Sequence, residues 1–177
     1  MSILSILTEP NPLLHQKCKK VKVFDDILKQ FTDNLVEIMF KNKGIGLAAP
    51  QLGKTIRLIA IEFNPERFEE TTDKKIKTKD GKVKKNQQTI PLTIICNPKI
   101  ISFSKEKNTL EEGCLSLPGI EIPIERTNRV KVLGQDLQGN RLKIKAKGLF
   151  ARSLQHEIDH LDGILITDRV KNVKRKK

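Results

Sequence analysis

Apolar residues along the chain recur with two periods, and each period marks a different kind of element. From Asp25 or Asp26 onward, Ile27, Phe31, Leu35, Ile38 and Met39 return at three- and four-residue intervals until Gly44. That is the stripe of an amphipathic helix, capped by an aspartate and stopped near a glycine, and it predicts a helix that packs by one face. Beyond a glycine-rich run, Ile56 to Ile61 reads as a strand ending at Asn64-Pro65, and Leu92 to Cys96 as a second ending at Asn97-Pro98. Between them, Glu66 to Gln88 are charged, with Asp80-Gly81 at a turn, which predicts an exposed loop or hairpin inserted between the two strands. Arg129 to Leu133 and Leu142 to Ala146 alternate apolar and basic residues around Asp136-Leu137-Gln138-Gly139-Asn140, the pattern of a half-buried hairpin. A last pattern, Leu149, Phe150, Leu154, Ile158 and Leu161, predicts a helix from Gly148 to a C-terminal cap at Gly163. The order is an α+β plan, not alternating βαβ units.

The second helix carries the candidate chemistry. Its apolar residues cover so much of the circumference that it must be buried, yet it contains Gln155-His156-Glu157-Ile158-Asp159-His160-Leu161-Asp162-Gly163, with two of the chain's three histidines. Two histidines on a helix can be merely exposed polar residues, but buried ones need partners to offset their desolvation. At i and i+4 they lie about 40° apart on one face, one turn above each other, so both imidazoles can grip one ion. Glu157 points to the edge of that face, where its carboxylate can reach a water held by the metal without being a ligand.

A third ligand is available in Glu112-Gly113-Cys114-Leu115-Ser116. Cys114, between a glycine and a polar flank, is the candidate; Cys96 and Cys18 read as core thiols. Two imidazoles and one thiolate leave a tetrahedral position open, as a catalytic site requires. The run Gly44-Ile45-Gly46-Leu47-Ala48-Ala49-Pro50-Gln51 lets a substrate backbone lie close, and the Gln51 amide can donate to a developing oxyanion. It is not a phosphate loop, because no GK[ST] and no preceding strand accompany it.

Composition narrows the partners. The chain has 177 residues, 37% of them hydrophobic, which suits one domain. Aromatics are 4%, with no Trp or Tyr, so base-stacking platforms have little to work with, and no specific DNA binding is expected. The net charge of +13 favours acidic neighbours such as RNA, a ribosome surface or anionic lipid, or simply solubility. Six Lys or Arg fall between Arg169 and Lys177 and seven Lys between Lys74 and Lys85; the tail is a candidate ribosomal RNA contact. With no membrane-spanning run, no signal-peptide pattern and an odd number of cysteines, the expected compartment is the cytoplasm.

The three motifs, GφGφAAPQ, EGCφS and QHEφDHφxG (φ apolar), occur here in order and in full, and the chain resembles the peptide deformylases to about Asp168, which implies a catalytic domain over 1–168 followed by a basic tail, 169–177. The resemblance implies a metallohydrolase that removes the formyl group from the N-terminal methionine of nascent polypeptides. It implies Cys114, His156 and His160 as metal ligands, Glu157 as the proton carrier, and the Gln51 side chain with the Leu115 backbone N–H as oxyanion donors. Backbone groups of Ile45, Gly46 and Gly113 would hold the peptide as an added strand, with methionine against Leu149 and Ser153. Arg126 and Glu112 could pair behind the site. A Cys-His-His set by itself suggests Zn(II), whereas the resemblance implies Fe(II), with Ni(II) or Co(II) as working substitutes. The rival readings are a zinc peptidase, which lacks a downstream third ligand, and a basic RNA-associated domain with a structural metal, which would not need Glu157 and Gln51.

Overall fold

The computed structural model describes residues 5–66 and 89–174, without the side chains of 171–174. The insertion expected between the first two strands, from residue 67 to 88, lies outside the described residues.

Helix α1 is Asp26–Lys41, and the Asp25 side chain accepts the Leu28 N–H at its N-terminus. Its packing face is Leu28, Phe31, Leu35 and Met39; Ile27, expected on that face, is 69% exposed. One residue of phase separates the two readings, since Ile27 continues the four-residue spacing back from Phe31, whereas Leu28, three residues before it, sits on the sheet side. Strand β1 (Gly46–Ala48) follows, then β2 (Leu58–Phe63), β3 (Ile90–Phe103), β4 (Lys107–Cys114), β5 (Leu117–Thr127), β6 (Arg129–Gln135) and β7 (Arg141–Lys147). Helix α2 is Gly148–Leu161 and helix α3 Ile166–Lys174. All strand pairs are antiparallel, in a five-stranded sheet β1-β2-β3-β6-β7 and a separate β4–β5 pair.

The unbroken apolar run Leu58-Ile59-Ala60-Ile61 follows from burial on both faces of β2. Leu58 and Ala60 pack with Leu35 and Met39 of α1, whereas Ile59 and Ile61 pack with Ala151, Leu154, Ile158 and Leu161 of α2. Helix α2 also touches β5, so it lies between the two sheets as the central helix. Gly163, just past it, has φ +71°, and a Cβ there would stand 2.4 Å from the His15 carbonyl oxygen, so the cap position requires glycine.

One expectation needs correction. Strand β3 does not stop at Asn97-Pro98 but runs on to Phe103. The register shifts between Cys96 and Lys99, Asn97 takes φ +53°, and its side chain accepts the Val21 N–H and donates to the Val21 carbonyl and to Gln135 Oε1. Asparagine tolerates that conformation and proline fits a bulge, so the dipeptide bends the strand without ending it. The hairpin β4–β5 was not foreseen. The boundary drawn between 168 and 169 falls inside α3, and Arg169 is bound to Asp159 of α2. Among the described residues, no helix is long and apolar enough to cross a membrane.

Candidate metal centre

Three stretches far apart in sequence meet at one end of α2. Strand β4 ends at Cys114, and the two residues Leu115-Ser116 turn the chain into β5. From the facing surface of α2, His156 and His160 present rings whose centroids are 5.1 Å apart. Cys114 Sγ lies 3.2 Å from His160 Nε2, and one donor atom from each of Cys114, His156 and His160 falls within 4.8 Å of the others. Tetrahedral coordination with a metal–sulfur bond near 2.3 Å and metal–nitrogen bonds near 2.05 Å puts sulfur and nitrogen about 3.6 Å apart. The trio fits such an ion.

The surroundings fit it as well. Glu157 is 4% exposed and His160 2%, and Glu157 Oε2 and His160 Nδ1 are buried with no hydrogen-bond partner among the described residues. A buried orphan carboxylate oxygen beside three soft and borderline donors is costly unless a cation and its ligands complete the site. Burial pushes the Glu157 carboxyl up to about 7, against the pull of the neighbouring His156. Burial holds the His160 imidazole well below its ordinary value and so keeps it in the neutral form that ligates.

The candidate ligands are held by a charged network that sequence reading saw only in part. Arg126 donates from Nε to Glu112 Oε1 (3.0 Å) and from Nη2 to Oε2 (2.9 Å), the pair expected behind the site. Glu112 also holds His156 Nδ1 at 3.0 Å and Arg152 Nη1 at 2.5 Å. Burial opposes ionisation of Glu112, yet the His156 and Arg126 hydrogen bonds outweigh it and hold the carboxyl well below the usual range. Arg126 reaches Asp159 too, on the same helix as the histidines. Glu112 lies two residues before Cys114, and Arg152 one turn before His156. The network therefore ties the strand bearing the sulfur to the helix bearing the nitrogens, and it orients the His156 ring from behind. Arg152 and Asp159 were missed. The available signal was their helical spacing, since 152, 156 and 159 share a face with 160.

Gln51 sits in a 3₁₀ turn, Ala49–Leu52, after β1. Its Oε1 accepts the Ala48 N–H at 2.9 Å, while its Nε2 donates to Ser116 Oγ at 3.0 Å and stands 3.8 Å from Cys114 Sγ. Ser116, completely buried, was also missed as the residue that aims this amide. A Cβ on Gly46 would lie 2.2 Å from Glu157 Oε1, so that glycine makes the room in which the carboxylate sits.

A cleft of ≈ 990 Å³ opens over these groups. Ile45, Gly46, Gln51, Gly113, Cys114, Leu115, Leu149, Ser153, His156 and Glu157 all line it, and His160 lies deeper. Ser153 Oγ donates to the Leu149 carbonyl. Leu117 and Ile120 of β5 add apolar wall that was not anticipated. Cys18 and Cys96, at 6% and 0% exposure, are core thiols, and burial pushes both up to about 11.

Comparison with known proteins agrees along the whole length. A polypeptide deformylase family model matches residues 3–176. The peptide deformylase of Thermodesulfovibrio yellowstonii is 39% identical over 175 residues, 99% of this chain and 93% of that protein. A peptide deformylase from Ehrlichia chaffeensis superposes with a TM-score of 0.81 at 36% identity, covering 99% of this chain and 92% of its own. A Met-Ala-Ser-bound class I type b peptide deformylase from Acinetobacter baumannii gives 0.79 at 31%, covering 96% and 99%. A family model that spans nearly every residue and relatives alike over their full lengths leave one conclusion: the chain belongs to the peptide deformylase family, metal-dependent hydrolases that remove the N-formyl group from nascent polypeptides.

Proposed function

We propose that Cys114, His156 and His160 hold one divalent ion, Fe(II), and that Glu157, Gln51 and Leu115 carry out the hydrolysis of formyl-methionyl peptides beside it. These roles rest on one convergence: three ligand atoms within 4.8 Å of one another, with a buried, unpartnered carboxylate oxygen facing the same cleft. When bound, such an ion acidifies a coordinated water and polarises the formyl carbonyl.

The chain's own groups supply the rest. Glu157 takes the proton of the attacking water and passes it to the amine nitrogen as the C–N bond breaks, which frees formate and the methionyl amine. The Gln51 amide, pinned by Ala48 and Ser116, and the Leu115 backbone N–H donate to the oxygen on which negative charge develops. Strand β1 is an edge of its sheet and faces the cleft across from Gly113. A peptide lying there can therefore pair with Ile45 and Gly46 on one side and Gly113 on the other as an added strand. The methionine side chain enters the apolar wall near Leu149 and Ser153. The Acinetobacter baumannii protein with Met-Ala-Ser bound points to the same class of ligand.

Iron is chosen on family resemblance, with Ni(II) or Co(II) as substitutes; the donor set alone also suits Zn(II). The cytoplasm, where nascent chains are made, is the proposed compartment. Ribosomal contact through the tail is proposed on charge alone, and Arg169 at its start is already engaged by Asp159. Glu157→Gln tests the mechanism: formate release from formyl-Met-Ala-Ser should fall about 10²–10⁴-fold with metal content retained. Turnover persisting with full metal would remove Glu157 from the chemistry.

A further inference from the structure

The two faces of the β6–β7 hairpin differ sharply. Val130, Val132 and Ala146 point inward onto α2, while the alternate residues point outward to solvent. Of the outward positions, Arg129, Lys131, Arg141, Lys143, Lys145 and Lys147 are cations, and all six are exposed. The strand register sets Lys131 directly opposite Lys145 and Arg129 opposite Lys147. Like charges directly opposite each other on a sheet destabilise it, so this arrangement costs the fold stability. Solubility does not require that cost, because lysines placed diagonally or on loops serve it equally well.

The outward face lies on the same side of the sheet as α1, since Gln135 pairs with Cys96 and Cys96 packs under that helix. Among the described residues, helix α1 packs over β1, β2 and the Ile94–Cys96 part of β3, and the six cations of β6–β7 remain exposed. At the Arg141 end this exposed face adjoins a groove of ≈ 840 Å³ to which Lys17, Lys20 and Lys99 contribute, and whose one carboxylate among the described residues, Asp162, is held by Arg57. Elsewhere Glu106 approaches Arg129 at 3.5 Å. No residue of β6 or β7 lines the metal cleft.

We propose that the outward face of β6–β7, with the adjoining groove, is a docking surface for an RNA phosphate backbone that leaves the catalytic cleft open. Along each strand the cations recur about every 6.8 Å, so Arg141 to Lys147 present four charges over about 20 Å in a line that a flexible phosphate chain can follow. The face carries no aromatic platform, so recognition is through phosphate and independent of base sequence. An anionic membrane is less well matched: Leu133 is the one apolar residue among the outward positions, and interfacial binding draws on buried apolar area.

The discriminating variant is Lys145→Glu. It turns a repulsive Lys131–Lys145 pair into an attractive one, so the fold should hold or gain stability while phosphate binding weakens. Binding of a fluorescein-labelled single-stranded RNA of about 20 nucleotides, followed by anisotropy over a salt series, should show a log–log slope near −4 for about six contacts. Lys145→Glu should lower affinity by about fivefold or more at about 0.1 M salt and flatten the slope by about one, with the melting temperature equal or higher and formyl-peptide turnover unchanged. Lys131→Glu/Lys145→Glu should weaken binding further. The charge-matched control for the single variant, Lys29→Glu on helix α1, should weaken it much less than Lys145→Glu. Equal loss in face and control variants would overturn the proposal. So would no effect of Lys145→Glu, which would assign binding to the other basic segments. Absence of RNA binding by the unaltered protein, or capture by phosphatidylglycerol vesicles without RNA binding, would overturn it too.

Discussion

Gly46 shows how far one residue's role can exceed what its type suggests. In sequence it reads as a position where substrate backbone comes close; in the structure its missing side chain is also the space that seats the Glu157 carboxylate. Adding a methyl group puts a carbon 2.2 Å from Glu157 Oε1, and because that carboxylate is buried at the sheet edge it moves off its position instead of swinging into solvent. Gly46→Ala should therefore lower kcat by about 10²-fold, the usual cost of misplacing a reacting group by about 1 Å, with metal content unchanged. Steady-state formate release beside metal analysis checks this, and a rise in KM with unchanged kcat would mean that Gly46 serves substrate binding alone. Residues of this kind explain why the candidate ligands and Glu157 could be proposed from sequence while the residues around them could not. His156, Glu157 and His160 announce themselves by spacing within one helix. Ser116, Arg152 and Asp159 act through contacts made only after β4 and α2 come together, and no local pattern encodes those contacts.

At the level of elements, the amphipathic pieces were readable and the polar-cored one was not. Helices α1 and α2 and the β6–β7 hairpin bury apolar residues at the period of their own geometry, so the pattern along the chain reports them. In β4–β5 the inward positions include Glu112 and Arg126, at 7% and 3% exposure, and this replaces the expected alternation with charge. The reason is functional. The hairpin carries the sulfur, and a carboxylate shared among Arg126, Arg152 and His156 locks it to the helix that carries the nitrogens. Glu112→Leu leaves two guanidinium groups buried without their shared partner. It should destabilise the protein by about 3–5 kcal/mol in guanidinium titration and weaken metal affinity by about 10–100-fold. A loss of stability with metal affinity untouched would confine Glu112 to packing.

For the whole molecule, the long-range arrangement is what turns a helix motif into an enzyme. The five-stranded sheet supplies an edge at β1, the separate hairpin supplies Cys114 across from it, and α2 runs between them, so the cleft exists only where all three meet. Sequence spacing carried the family resemblance and the three candidate ligands, but not the cleft's walls or the one-sided charge of β6–β7, which depend on sheet order. X-ray absorption at the iron edge, on anaerobically iron-loaded protein of known formate-release activity, examines that meeting point itself. Expected is a shell with one sulfur at about 2.3 Å and the remaining ligands nitrogen or oxygen, the sulfur lost in Cys114→Ser. Full activity with a sulfur-free shell, or with zinc in place of iron, would contradict the assignment.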